Sequence, residues 1–187
     1  DRIWVATESA EISNYCEEQG MQYILTDKTC PTGTDRVAQA NLTINSNLII
    51  NVQGDEPCIN PDDIVKVYKA KLDNPQKIIN GYCSFLANQE AVLPNIPKVV
   101  TSDSGKLLYI SRSNIPYWHG NSEGLKHYKR QVCIYAFNNF ELEAFRRSDK
   151  KDTVDRIEDV EILRFLEIGM EIQMIEVSYS LAVDLPE

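Results

Sequence analysis

The sequence predicts a three-layer α/β/α fold on a mostly parallel sheet, with an antiparallel hairpin inserted into it. Three observations carry this. Strand-like and helix-like stretches alternate through the first half, the pattern of parallel strands joined by crossover helices. Leu48 to Val52 is an unbroken apolar run, the mark of a strand covered on both faces. The 187 residues suffice for one sizeable core and fall short of two ordinary domains, so a single domain over residues 1–187 is expected.

The elements follow in order. Arg2 to Thr7 reads as a buried strand, and Ser9 to Gln19 as a helix that sets Ile12, Tyr15 and Cys16 on one face and stops at Gly20. Gln22 to Thr26 is a short strand, Asp27 to Gly33 is turn-rich, and Thr34 to Asn41 is helical. After the Leu48 to Val52 strand, Asn60-Pro61-Asp62-Asp63 opens a helix carrying Ile64, Val67, Tyr68 and Leu72. Its cap, its Pro and its acidic first turn agree. Ile78 to Leu86 is another strand. Lys98 to Thr101 and Leu107 to Ser111 flank the turn Ser102-Asp103-Ser104-Gly105, which predicts the hairpin. Asn114 to Lys126 is an aperiodic loop. Gln131 to Phe137 is a strand, Phe140 to Arg147 and Asp155 to Glu167 are helices, and Glu171 to Val177 is the last strand.

Composition narrows the function. Nineteen basic and 28 acidic residues give a net charge of −9, a poor basis for gripping a nucleic-acid backbone, which needs clustered Lys and Arg. Such a charge suits binding metal ions that carry anionic substrates. No run of eighteen apolar residues marks a membrane span. Cys16, Cys30, Cys58, Cys83 and Cys133 are odd in number and lack a C-x-x-C pair, so buried free thiols in a reducing cytoplasm are expected. His119 and His127 lie in a polar stretch and read as solvated. The chain begins at Asp1 and ends at Val183-Asp184-Leu185-Pro186-Glu187, which reads as a helix start, so both ends read as cut.

Three constellations offer chemistry. Asn51-Val52-Gln53-Gly54-Asp55-Glu56-Pro57 follows the buried strand, where open α/β sheets bind ligands, and Asp55 can hold Mg²⁺ through one oxygen. The plainer alternative is an acidic turn stopped by Pro57. Thr32-Gly33-Thr34-Asp35-Arg36 offers backbone N–H groups, hydroxyls and a guanidinium to an anion or a base edge. The alternative is a helix cap by Thr32 or Thr34. Asp184 alone is an N-cap, and it gains a metal role only if the fold sets it beside Asp55.

Asn51 to Pro57 resembles the signature of CMP-KDO synthetases, the 3-deoxy-manno-octulosonate (KDO) cytidylyltransferases. Thr32 to Arg36 resembles that family's small-Gly-Thr-acid-Arg loop, and Tyr109-Ile110-Ser111-Arg112-Ser113-Asn114-Ile115-Pro116-Tyr117 its Tyr-Phe-Ser-Arg segment. Ile134-Tyr135-Ala136-Phe137, Leu163 to Glu167 with Gly169, and Ala182 to Glu187 also fit, in order along the chain. The resemblance implies a nucleotide-diphospho-sugar transferase-like fold. It implies transfer of CMP from CTP to the 2-hydroxyl of an ulosonic acid, with pyrophosphate released, for lipopolysaccharide or capsule synthesis. Carried over, Asp55 and Asp184 are catalytic Mg²⁺ ligands. Thr32, Gly33, Thr34, Arg36 and Gln53 line the cytidine pocket, and Arg112, Gln131, Tyr135 and Glu161 face the sugar. A cytoplasmic homodimer is implied too, with the hairpin and the 130s strand as its expected surface.

Three departures from the family pattern stand out. The opening strand, phosphate loop and first helix of the family pattern are not in this sequence: if the 187 residues are the whole protein it is expected to bind CTP poorly and turn over negligibly, and otherwise the enzyme is longer. Arg130-Gln131 replaces a basic residue followed by His, and Glu161-Ile162 replaces Glu-Gln. The last two point either to an altered sugar preference, such as an amino-substituted ulosonic acid, or to neutral drift at positions that carry little binding energy. Rival readings are a nucleotidyltransferase for a sialic-acid-like sugar and a non-catalytic sugar-nucleotide-binding module. The attacking hydroxyl needs no side-chain base if a metal ion acidifies it directly.

Overall fold

Polar caps set where the helices begin. Ser9 Oγ accepts from Ile12 N, Thr32 Oγ1 from Asp35 N and Asn60 Oδ1 from Asp62 N. The computed structural model describes residues 3–86, 93–119, 127–148 and 154–183. The chain divides into two compact units, residues 1–47 with 139–149 and residues 48–138 with 150–187.

The first unit holds β1 (Val5–Thr7), α1 (Ala10–Glu18), β2 (Tyr23–Leu25), α2 (Gly33–Ile44) and a helix from the middle of the chain, Asn139–Arg147. β1 and β2 pair in parallel, as a strand-helix-strand unit requires. On α1 the buried residues are Ser13 and Cys16, while Ile12 and Tyr15 are exposed. The expected apolar face is therefore rotated: Cys16 is inside, and its two larger neighbours are not. Asn41 Nδ2 on α2 donates to Asn139 Oδ1, joining the two longest-separated parts of this unit.

The second unit holds β3 (Leu48–Val52), α3 (Pro61–Asp73), β4 (Ile78–Ser84), β5 (Lys98–Thr101), β6 (Leu107–Ser111), β7 (Lys129–Asn138), two short helices and β8 (Ile172–Glu176). With Asn139–Arg147 counted as α4, the two are α5 (Val154–Glu158) and α6 (Leu163–Glu167). The spacing predicts one helix from Asp155 to Glu167. The structure breaks it at Asp159, whose φ is +52°, a conformation no helix interior tolerates. On α3, Val67 is buried as expected, but Tyr68 and Leu72 are exposed.

β7 organises the sheet. β4 pairs antiparallel along one of its edges, and β8 extends β4 in parallel. The other edge is shared. β3 pairs with Ile134 to Asn138, and β5 pairs only with Lys129 and Arg130. β3, β4, β5 and β8 therefore run one way, and β6 and β7 the other. The hairpin forms as predicted, with Gly105 at φ +80° in its turn.

Side chains alternate across β7. Val132, Ile134 and Ala136 join Val67 of α3, Ile79, Cys83 and Val177 in one apolar core. Tyr135 and Phe137 face the opposite side, where Phe137 stacks on Phe165 of α6 at 5.5 Å. Helices thus cover both faces, which makes the three layers. β7 lies inside the sheet, with β4 along one edge and β3 and β5 sharing the other. The outer strand of the hairpin, β6, forms a ladder with β5 alone among the described strands, and Lys106 just before it bridges Gln173 of β8. Cys16 and Cys83 are buried free thiols as expected, but Cys58 is exposed. His119 and His127 are exposed, and His127 stacks on Trp118. Among the described residues no helix is long and apolar enough to cross a membrane.

Candidate active site

β3 and β5 lie end to end along one edge of β7, and between them Gln131 to Cys133 have no ladder partner. Loops fill that gap. Gln131 N donates to Pro97 O, Cys133 O accepts from Gln53 N, and Cys133 N donates to Glu56 Oε1. The carboxyl end of β3 is thereby pinned against β7, and Gln53 to Glu56 form a tight turn closed by Glu56 N to Gln53 O. A Cβ on Gly54 would meet no atom within 4 Å, so the space beside this turn is open. Val183 N donates to Asp55 O at 2.8 Å, which brings the end of the described chain to this turn. Asp184, the next residue in sequence, lies outside the described residues, as do residues 120–126 of the expected loop.

The face of β7 beneath the turn is polar and buried. Gln53 Nε2 donates to Glu161 Oε1 at 2.5 Å. Gln131 Nε2 donates to Asn80 Oδ1 and Tyr135 OH, and Asn80 Nδ2 donates to Val132 O and Ile134 O. Asn80 sits where the β4–β7 register shifts, and it satisfies the carbonyls that the shift leaves over. Cys133 and Tyr135 hydrogen-bond each other. Burial, reinforced by the charges of Asp55 and Glu56, holds the Cys133 thiol well above its ordinary pKa. Burial does the same for the Tyr135 phenol, aided by Cys133 and Glu161. Both stay protonated at neutral pH, so neither is a nucleophile or a base. The negative field comes from Asp55, Glu56 and Glu161, and Glu56 is 98 % buried by its 2 % exposure.

Arg112 behaves differently from the expectation. Its Nε donates to Glu158 O, Nη1 to Pro94 O and Asn95 O, and Nη2 to Asp159 O and Oδ2. A guanidinium has five N–H groups. All are engaged within the protein, so none is left for a sugar carboxylate. Gln131, Tyr135 and Glu161 do gather as expected on one side of the sheet, together with Gln53. Ile162 is buried in the core.

The first unit holds the other expected nucleotide contacts. Thr32 caps α2: its hydroxyl accepts from Asp35 N and donates to Asp35 Oδ2. Thr34 is buried, and Gly33 is the first residue of the helix. Arg36 Nη1 donates to Thr26 Oγ1 and pairs with Glu8. Sequence reasoning missed Asn80 and Glu158 as organising residues. Asn80 left a signal, a polar residue and a Gly interrupting the apolar strand Ile78 to Leu86. Glu158 left none.

Among the described residues no three or more His, Cys, Asp or Glu side chains group to hold a metal ion. Mg²⁺ seldom needs such a cage, since one or two carboxylates plus substrate phosphates suffice. The Asp55 carboxylate, at a strand end and next to a glycine with open space beside it, is of the kind that fits that mode.

A layered sheet that opens at the end of a strand and gathers carboxylates there defines an α/β enzyme that handles a charged ligand. The chain belongs to the cytidylyltransferase family, whose model matches residues 1–172, and it is a nucleotidyltransferase. It is 36% identical to a 3-deoxy-manno-octulosonate cytidylyltransferase of Wolinella succinogenes, over 100% of this chain and 80% of that one. It is 30% identical to the protein of that name from Acidobacterium capsulatum, over 100% and 75%. Among solved structures it resembles CMP:2-keto-3-deoxy-manno-octonic acid synthetase complexed with CTP. The TM-score is 0.88 at 30% identity, over 98% of this chain and 76% of that one.

Proposed function

We propose that this chain transfers CMP from CTP to the 2-hydroxyl of KDO, releasing pyrophosphate, in the synthesis of lipopolysaccharide or capsule. The observation that carries the reading is the turn Gln53 to Glu56. It matches the family signature in sequence, and it stands at the open carboxyl end of β3 with Val183 bonded to Asp55. Asp55 and Asp184 are the residues that would hold Mg²⁺, which when bound neutralises phosphate charge and orients the triphosphate for in-line displacement. Thr32, Gly33, Thr34, Arg36 and Gln53 are assigned to the nucleotide. Gln131, Tyr135 and Glu161 are assigned to the sugar. Tyr135 and Gln131 would bind it as neutral hydrogen-bonding groups, because the phenol stays protonated. A cytoplasmic location and a homodimer belong to the same proposal.

Gln131 supports a finer reading on the sugar. Both N–H groups of its amide are tied to Asn80 and Tyr135 in a buried network, so a different hydroxyl or amino pattern would meet a fixed acceptor, the amide oxygen, rather than an ionisable ring. Mass spectrometry of products from CTP with KDO, an amino-substituted KDO and a nine-carbon acid tests both points. A CMP-ulosonate from either octulosonic acid supports the reaction. Conversion of the nine-carbon acid alone contradicts it, and a clear preference for plain KDO contradicts the altered preference.

A further inference from the structure

The junction between the hairpin and the α5–α6 turn is woven more densely than a surface crossing requires. The Glu158 carboxylate accepts from Ser111 Oγ at 2.7 and 2.9 Å, from Arg112 N at 3.1 Å and from Tyr109 OH at 3.4 Å. The Glu158 carbonyl accepts from Arg112 Nε at 2.9 Å, and Asp159 takes both Nη2 bonds at 2.8 Å. Two neighbouring residues therefore clasp each other through side chain and backbone in both directions. The clasped turn contains Asp159 at φ +52°, a strained conformation for a residue with a side chain. From behind, Arg164 Nε bonds Asp155 Oδ2 at 2.8 Å, with both side chains 1% exposed. The turn is thus fixed on two sides.

Glu161 stands at the far end of this turn. Its carbonyl accepts from Arg164 N, and its carboxylate accepts from Gln53 Nε2 at the end of β3. We propose that Arg112 and Glu158 are positioning residues, which fix the 158–161 turn and through it the Glu161 carboxylate against Gln53. Arg112 then acts on the sugar subsite without touching the sugar. The kinetic half of this inference rests on the cytidylyltransferase reading, and the structural half does not.

Two measurements test it. The first is amide hydrogen exchange of Leu163 to Phe165 in the substrate-free protein, for wild type, Arg112→Ala, Arg112→Lys and Glu158→Ala. The clasp predicts exchange faster by about an order of magnitude in all three variants. The second is steady-state kinetics on the same set, with the double variant and Glu158→Gln added. The expected result is a KM for the ulosonic acid raised on the order of tenfold by each single substitution, with the KM for CTP within about twofold of wild type. The double variant is no worse than the worse single one, and Glu158→Gln recovers most of the loss. Arg112→Lys performs as poorly as Arg112→Ala, because an ammonium cannot reproduce the five-donor fork. Near-normal Arg112→Lys, multiplying losses in the double variant, or faster exchange with an unchanged sugar KM each overturn the proposal. A wild type inactive with CTP and KDO would sink the reaction reading instead, and exchange at α6 would still decide the clasp.

Discussion

At the scale of single residues, the site depends on groups whose usefulness lies in what they satisfy. Asn80 answers two carbonyls of β7 and the amide of Gln131 from inside the sheet. Asn80→Ala takes a partner from all three, leaving the Gln131 amide only Tyr135 OH, and urea unfolding should register a loss of about 2–4 kcal/mol. A loss under about half a kcal/mol would mean the network reforms without it. The two thiols near the site should differ chemically. Cys58 is exposed, whereas Cys133 is held protonated by burial and by the charges of Asp55 and Glu56. A thiol-specific reagent at pH 7.5 should label Cys58 in the native protein well before Cys133, with peptide mapping as the readout. Motif spacing carries residue identity, so the sequence picked out Gln53, Asp55, Tyr135 and Glu161, which the fold gathers around the turn that ends β3. It assigned Arg112 to the sugar and did not foresee its engagement, which depends on carbonyls from residues 94, 95, 158 and 159 that only folding brings together.

At the scale of elements, caps and turns were legible and long-range pairing was not. Ser9, Thr32 and Asn60 cap the helices they precede, since a short polar side chain before an apolar period is a local signal. The break at Asp159 had no such signal, since Asp carries no obligatory mark for positive φ. The shared edge of β7 was equally hidden, because it depends on strands 30 to 90 residues apart, on the order of loop-closure distances that sequence pattern does not encode. The β4–β7 register shift adds a requirement of its own. A Cβ at Gly81 would lie 2.7 Å from Ile134 Cγ2 and 3.2 Å from Val177 Cγ2. Ile134 is branched and fully buried, so it has little room to yield. Gly81→Ala should cost about 1–3 kcal/mol, read as a lowered urea midpoint with an unchanged slope. An unchanged midpoint would show that β4 can slide away from β7.

At the scale of the whole molecule, an acidic chain devotes its second unit to a sheet layered by helices on both faces, with a polar face buried under the site. That burial has a pH signature. Cys133 and Tyr135 have folded pKa values raised above the ordinary 9.0 and 10.0. Above about pH 9 the unfolded chain gives up these protons and the folded chain keeps them, so stability falls as pH rises. Lys98 works in the opposite sense, since burial and the Arg112 charge lower its pKa, and comparison with a variant cancels it. Cys133→Ala with Tyr135→Phe should flatten the decline between pH 9 and 11 in thermal melts, and an identical slope would contradict the burial account. The most direct test of the central claim, that the turn at the end of β3 is the reaction centre, is pyrophosphate release from CTP and KDO with Mg²⁺, wild type beside Asp55→Ala. The account predicts release by the wild type and a loss of about a thousandfold or more in kcat for the variant with its fold intact. Release by the variant within about tenfold of wild type would contradict it.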